Sequence, residues 1–83
     1  MKVNVKYFAS IRESVGAGSE QLQTSASTLG ALRDELIARG GAHAQSLARG
    51  RAVRVALNQV MSAEEAALND GCEVAFFPPV TGG

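Results

Sequence analysis

The chain has 83 residues, 46% of them hydrophobic and 19% charged, with eight basic side chains against eight acidic ones. That length supports one hydrophobic core, and the composition is that of a folded domain, not a disordered segment. Balanced charge argues against a nucleic-acid partner, because such proteins usually carry a basic excess. No apolar run approaches the ~20 residues of a membrane span, and Met1-Lys2 leads straight into a strand pattern without a secretory leader. A single cysteine gives no internal disulfide and suits a reducing compartment. The expectation is a one-domain cytoplasmic protein with no membrane and no nucleic acid among its partners.

Lys2 to Ala9 alternates, with Val3, Val5 and Tyr7 on one face and Lys2, Asn4 and Lys6 on the other, as in a half-buried strand. Phe8 falls on the polar side of that alternation, so it is either covered by a loop or exposed for a partner. Ser10 to Val15 forms one or two helical turns, stopped by Gly16-Ala17-Gly18. Ser19 to Thr24 is a weak second strand whose only strong hydrophobe is Leu22. The best helix spans Leu29 to Arg39, capped by Ser27 or Thr28 and ended by Gly40-Gly41. Its apolar stripe is Leu29, Leu32, Leu36 and Ile37, with Arg33, Asp34 and Glu35 expected in solvent. Gly30 should cost this helix up to ~1 kcal/mol relative to alanine.

Ala42 to Ala48 reads as a shorter helix. Arg51 to Leu57 alternates as a third strand, with Val53, Val55 and Leu57 inward and Arg54 outward. Asn58-Gln59 is a tight turn into a brief strand at Val60-Met61. A loop over Ser62 to Leu68 and an Asn69-Asp70-Gly71 turn then lead into a last strand, Glu73 to Phe77. Val74 and Phe76 take one face of it, Ala75 and Phe77 the other. A helix that follows an N-terminal strand pair packs most simply across one sheet, an α+β layout.

Few constellations carry chemistry. Gly16-Ala17-Gly18 lacks the third glycine and the following helix of a dinucleotide site and reads as a loop. His43 is the only histidine and is expected on a helix surface; with one distant cysteine it makes no metal site. No nucleophile-elbow sequence supports a Ser-His-Asp triad. Cys72 has no Cys-X-X-Cys partner and reads as a packing residue. Arg49, Arg51 and Arg54 form a basic patch, either a solvated edge or a contact to an acidic partner. Glu64-Glu65 reads as an exposed pair serving solubility.

The last eight residues, Phe76-Phe77-Pro78-Pro79-Val80-Thr81-Gly82-Gly83, are different in kind. Pro78 and Pro79 cannot extend a central strand, and together they project the chain outward in a polyproline-type segment. The four residues after them reach roughly 14 Å when extended. Gly82 and Gly83 have no Cβ, so this end fits a slot too narrow for any other residue. The division expected is a domain over residues 1–77 and a tail over 78–83.

Tyr7-Phe8-Ala9-Ser10-Ile11-Arg12-Glu13, Leu57-Asn58-Gln59 and the segment from Leu68 through Asp70-Gly71 and Glu73 to Gly83 together resemble the small subunit of molybdopterin synthase, the MoaD family. The likeness spans essentially the whole chain, and the Pro-Pro-Val-X-Gly-Gly ending is its most specific part. It implies a ubiquitin-like β-grasp fold, a mixed sheet packed on one main helix with first and last strands parallel. It also implies a carrier rather than a complete enzyme. The Gly83 carboxylate would be adenylated with ATP by an activating enzyme of the MoeB type and converted to a thiocarboxylate with sulfur from a donor protein. It would then enter the large, MoaE-like subunit and give sulfur to cyclic pyranopterin monophosphate, in a heterotetramer.

By the same resemblance Gly83 carries the sulfur, Gly82 gives it passage, and Phe8, Met61 and Phe77 form an apolar contact surface. Arg12 pairs with acidic groups of a partner, and Pro78, Pro79, Val80 and Thr81 belong to the same interface. No cofactor is expected to reside on the chain. The sequence departs from the family pattern at Cys72, where an acidic residue is common, and around Gly40-Gly41. Alternatives are a carrier of the thiazole-forming ThiS type, a ubiquitin-like modifier joined to lysines, and a non-covalent binding module with an irrelevant tail.

Overall fold

The structure is a computed structural model that describes residues 1–79. The elements run β1 (Lys2–Tyr7), α1 (Ala9–Val15), β2 (Ser19–Gln23), α2 (Leu29–Ala38), α3 (Gly41–Leu47), β3 (Arg54–Leu57), β4 (Val60–Met61) and β5 (Glu73–Phe77). The five strands form one sheet in the order β2-β1-β5-β3-β4. β1 and β5 are parallel, with Val5 beside Val74 and Tyr7 beside Phe76, and every other pairing is antiparallel. This is the α+β layout that the strand and helix order predicts, and the mixed sheet with first and last strands side by side that the family resemblance implies.

One face of the sheet is closed by helices. Val3, Val5, Tyr7, Val55, Val74 and Phe76 meet Leu29, Leu32 and Leu36 of α2, Ile11 of α1 and Leu47 of α3 in a single core. Burial of such side chains contributes about 1.5–3 kcal/mol each. The start of α2 is unusually well satisfied. Thr28 takes the capping position and its Oγ1 accepts from the Ala31 amide at 3.1 Å, while the Leu29 and Gly30 amides donate to the carbonyls of Ala66 and Glu64. Of the two expected caps, Thr28 is the one used.

Gly30 has a reason to be glycine. The Gly30–Glu64 backbone bond is 2.8 Å long, and a Cβ at Gly30 would stand 3.1 to 3.3 Å from three atoms of Glu64. The loop over residues 62–68 lies directly on the helix there, so the intrinsic cost of glycine is offset by a close crossing.

Arg33 corrects the helix reading. It is not in solvent but 4% exposed. Its Nε donates to the Leu47 carbonyl, its Nη2 to the Ala48 and Arg51 carbonyls, and its Nη1 meets Glu64 at 2.7 Å. One guanidinium thus caps the C-terminus of α3, which has no basic residue in its own last turn. The Arg51 carbonyl is occupied by this contact, and β3 starts at Arg54 instead of Arg51. Glu35 is likewise drawn inward, accepting from the Thr24 hydroxyl at 2.8 Å, whereas Asp34 stays exposed.

Glu64 is a structural anion and not merely a solubilising one. It binds both Arg33 and Arg49, and Arg49 also bridges to Asp34 at 2.9 Å and to the Gly30 carbonyl at 3.0 Å. The hydrogen bond with Arg49 holds the Glu64 carboxyl below the ordinary value, against the opposing effect of burial and with help from Arg33.

His43 is also misplaced by the surface expectation. Its side chain is largely buried, its ring meets Tyr7 edge-on at 5.7 Å, and its Nε2 lies 3.2 Å from Glu20. Glu20 faces the helices because it pairs across from Val5, and it collects the Tyr7 hydroxyl at 2.7 Å and Arg39 at 2.9 Å as well. Burial raises the Glu20 pKa, but these hydrogen bonds outweigh it and leave the group below its ordinary value. Burial and then the bond to Glu20 push the Tyr7 phenol well up.

Candidate functional site

Among the described residues the opposite face of the sheet carries no helix, and the strand register fixes what stands on it. Residues directly paired across strands point the same way. Lys6, Ala75, Ala56 and Met61 therefore form one row, and Phe77 and Arg54 lie in the next. Phe8 extends that second row: it remains extended at φ −128°, ψ 155°, and its amide donates to the Phe76 carbonyl at 3.2 Å. Ala9 then turns the chain into α1 through a left-handed φ of 52°. The Phe8 ring meets Phe77 edge-on, with centroids 6.3 Å apart and planes at 89°. Such pairs add about 0.5–1.5 kcal/mol beyond burial. Phe8 is nonetheless 44% exposed, and Phe77 is half-buried. The two aromatics that strand alternation sets apart from the core thus stand together on the free face.

Met61 is 52% exposed and shares that face, which excludes a core role for it. A two-residue turn delivers it there. Asn58 and Gln59 have φ of 49° and 69°, the left-handed pair a tight β3–β4 hairpin requires. Asn58 then ties the hairpin to β5: its amide donates to the Glu73 carbonyl at 2.8 Å, and its Oδ1 accepts from the Glu73 amide at 2.9 Å. This explains why Leu57-Asn58-Gln59 matters as a motif. The turn holds Met61 in fixed register with the strand that ends in Phe77. Val60, 65% exposed on the edge strand, is an apolar surface residue that the sequence reading did not single out. A two-residue strand has too little alternation to reveal which of its side chains lacks cover.

Arg12 does not join the aromatic pair. Its guanidinium lies over Gly18, where an added Cβ would stand 3.2 Å from it, and it makes no ion pair among the described residues. Pro78 and Pro79 are half-buried beyond the end of β5. Val80, Thr81, Gly82 and Gly83 lie outside the described residues, so the expectations placed on them, and on the tail as a separate segment, stand as expectations. Cys72 is buried in the core, consistent with a packing role. The basic patch divides: Arg49 is consumed by Asp34 and Glu64, while Arg51 sends its Nε to the Gln45 carbonyl at 3.0 Å. Among the described residues no group of three or more His, Cys, Asp or Glu is arranged to hold a metal, and no helix is long and apolar enough to cross a membrane.

A mixed sheet closed on one side by helices, with parallel first and last strands and a Gly-Gly sequence following the last, defines a ubiquitin-like β-grasp protein. Solved structures agree. The small archaeal modifier protein SAMP1 of Haloferax volcanii matches with a TM-score of 0.77 and 27% identity, covering 100% of both chains. A chain of the protein–protein complex of subunits 1 and 2 of the molybdopterin-converting factor from Helicobacter pylori matches at 0.69 and 26% identity, again over 100% of both.

The chain belongs to the ThiS family, whose profile matches residues 5–83, and within it to the molybdopterin synthase sulfur carrier group. The molybdopterin synthase sulfur carrier subunit of Haemophilus influenzae is 42% identical over 81 residues, 98% of this chain and 99% of that one.

Proposed function

We propose that this protein is the sulfur-carrying subunit of a molybdopterin synthase, with Gly83 as the carrier atom's anchor. The observation that supports this best is the free sheet face. Phe8, Phe77 and Met61 are held there by a register and a turn, yet left uncovered, immediately before the Pro-Pro-Val-Thr-Gly-Gly ending. An apolar patch kept open at the root of a side-chain-free tail fits a domain that docks while its tail enters another protein's site.

The chemistry follows from the carboxylate. It is a poor electrophile, so one of its oxygens first attacks the α-phosphorus of ATP, releasing pyrophosphate and leaving an acyl-adenylate on Gly83. Hydrosulfide then adds at the acyl carbon, its proton passes to a base and AMP departs, leaving a thiocarboxylate. Within the large subunit that sulfur bonds to cyclic pyranopterin monophosphate, and water cleaves the acyl C–S bond and returns Gly83 to a carboxylate. Gly82 lets the tail thread, and Phe8, Met61, Phe77, Arg12 and residues 78–81 contact the partner. The acids and bases of these steps reside in the partners, and the cytoplasm supplies the ATP.

Deleting Gly82 and Gly83 tests the reading. Synthesis of molybdopterin in a reconstitution with large subunit, activating enzyme, ATP and sulfide should be abolished, while the thermal midpoint of the domain stays unchanged. Normal output from the truncated, folded chain would overturn it. The likeness to SAMP1 favours a second reading, in which Gly83 is joined to lysines of other proteins. Branched lysine adducts in cell extracts, with no thiocarboxylate, would select that alternative.

A further inference from the structure

Beside the root of the tail lies a notch of about 160 Å³ that the proposed chemistry does not use, lined by Ser10, Ile11 and Ser14 of α1, Ser46 of α3, Arg51 and Pro78. Its floor is buried. Ser46 is 7% exposed and its hydroxyl has no hydrogen-bond partner among the described residues, which a buried hydroxyl tolerates poorly. Its rim holds Arg51, an exposed side chain tethered at one nitrogen. The Arg51 Nε donates to the Gln45 carbonyl at 3.0 Å and the Arg51 carbonyl accepts from Arg33 at 3.2 Å, while both terminal guanidinium nitrogens lack partners among the described residues. Among the described residues no carboxylate lines the notch. The Ser10 and Ser14 hydroxyls, the buried Ser46 hydroxyl beneath them and a guanidinium offering both terminal nitrogens suit an oxyanion. The apolar walls of Ile11 and Pro78 suit the methylene stem of a side chain, which a free phosphate lacks.

Resting on the proposed function, we infer that this notch seats an aspartate or glutamate side chain of the large subunit that takes the tail. Pro78 is part of its wall, so a partner that holds the tail stands next to it. The seat also gives a role to the part of the basic patch that Glu64 does not consume.

The test is the affinity of the full chain for the large synthase subunit, measured by calorimetry at two salt concentrations. Arg51→Gln should weaken binding about tenfold, as loss of one charge-assisted pair does, and flatten the salt dependence. Arg51→Lys should recover part of the loss, and Ser46→Ala should weaken binding less. Parallel titrations of the full chain with acetate and with inorganic phosphate, followed by amide NMR at residues 46 and 51, separate the sources. Unchanged affinity in Arg51→Gln, alongside weakened binding in Phe8→Ala, would overturn the seat and leave the carrier reading intact. Saturable phosphate binding with partner affinity indifferent to Arg51 would also overturn it, in favour of a free-anion site. A wild-type chain that fails to bind the large subunit at all would remove both.

Discussion

The two faces of the sheet obey different rules. On the helix side Phe76 is fully buried between Tyr7 and the leucines of α2, and every large side chain in the row has cover. On the other side Phe77, its neighbour in sequence, meets Phe8 edge-on and both remain partly in water. Adjacent phenylalanines of one strand thus have opposite surroundings: one is sealed in the core, the other is left partly open to solvent, as the proposed docking role requires. Three large apolar groups on one open face are what the proposed docking surface needs.

The sharpest way to break that contrast is to truncate each aromatic in turn. Phe76→Ala should cost about 3–5 kcal/mol of stability, the usual range for a buried phenylalanine. Phe77→Ala should cost far less in a urea titration yet strongly weaken binding to the large subunit. Equal losses of stability in the two variants would erase the distinction between the faces.

A smaller effect is expected at the crossing over α2. Gly30→Ala would improve an isolated helix, but here the new methyl presses on Glu64, so the variant should lose about 1–3 kcal/mol, as overpacked sites do. A gain in urea midpoint would mean that the crossing loop yields freely. Partner affinity should be unaffected, because Gly30 lies on the covered side.

The weakest effect is electrostatic. The Glu64 carboxyl is held below its usual 4.5 in the folded state, chiefly by Arg49. A depressed folded pKa stabilises the native state fully above the unfolded value, and that contribution is lost as pH falls through the folded one. Unfolding midpoints measured from neutral pH downward should therefore decline below about pH 4.5, and Glu64→Gln should make the decline shallower. The same slope in both proteins would assign acid sensitivity elsewhere, to Glu20 for example.

Most of the architecture was legible because its signals are local. Alternation in Lys2 to Tyr7 and Glu73 to Phe77, the leucine spacing of α2 and the Asn58-Gln59 turn each depend on neighbours within a few residues, and element ends moved by only one to three positions. The same alternation set Phe8 and Phe77 apart from the core, and only the family likeness named Met61. Arg33, His43 and Glu64 were misread because their surroundings are assembled from distant chain. Arg33 is buried only because α3 ends against it and Glu64 arrives from a loop 31 positions on. No periodicity in α2 announces a carbonyl cluster waiting there. Gly30 was seen as a cost for the same reason, since the strand of loop that requires it lies far along the sequence.

The account depends most on what happens to Gly83, and intact mass spectrometry reads that directly. After incubation of the full chain with the activating enzyme, ATP and sulfide, the chain should gain one sulfur in place of one oxygen, with the change mapped to Gly83. A mass left unchanged under conditions where a known carrier is converted would contradict it.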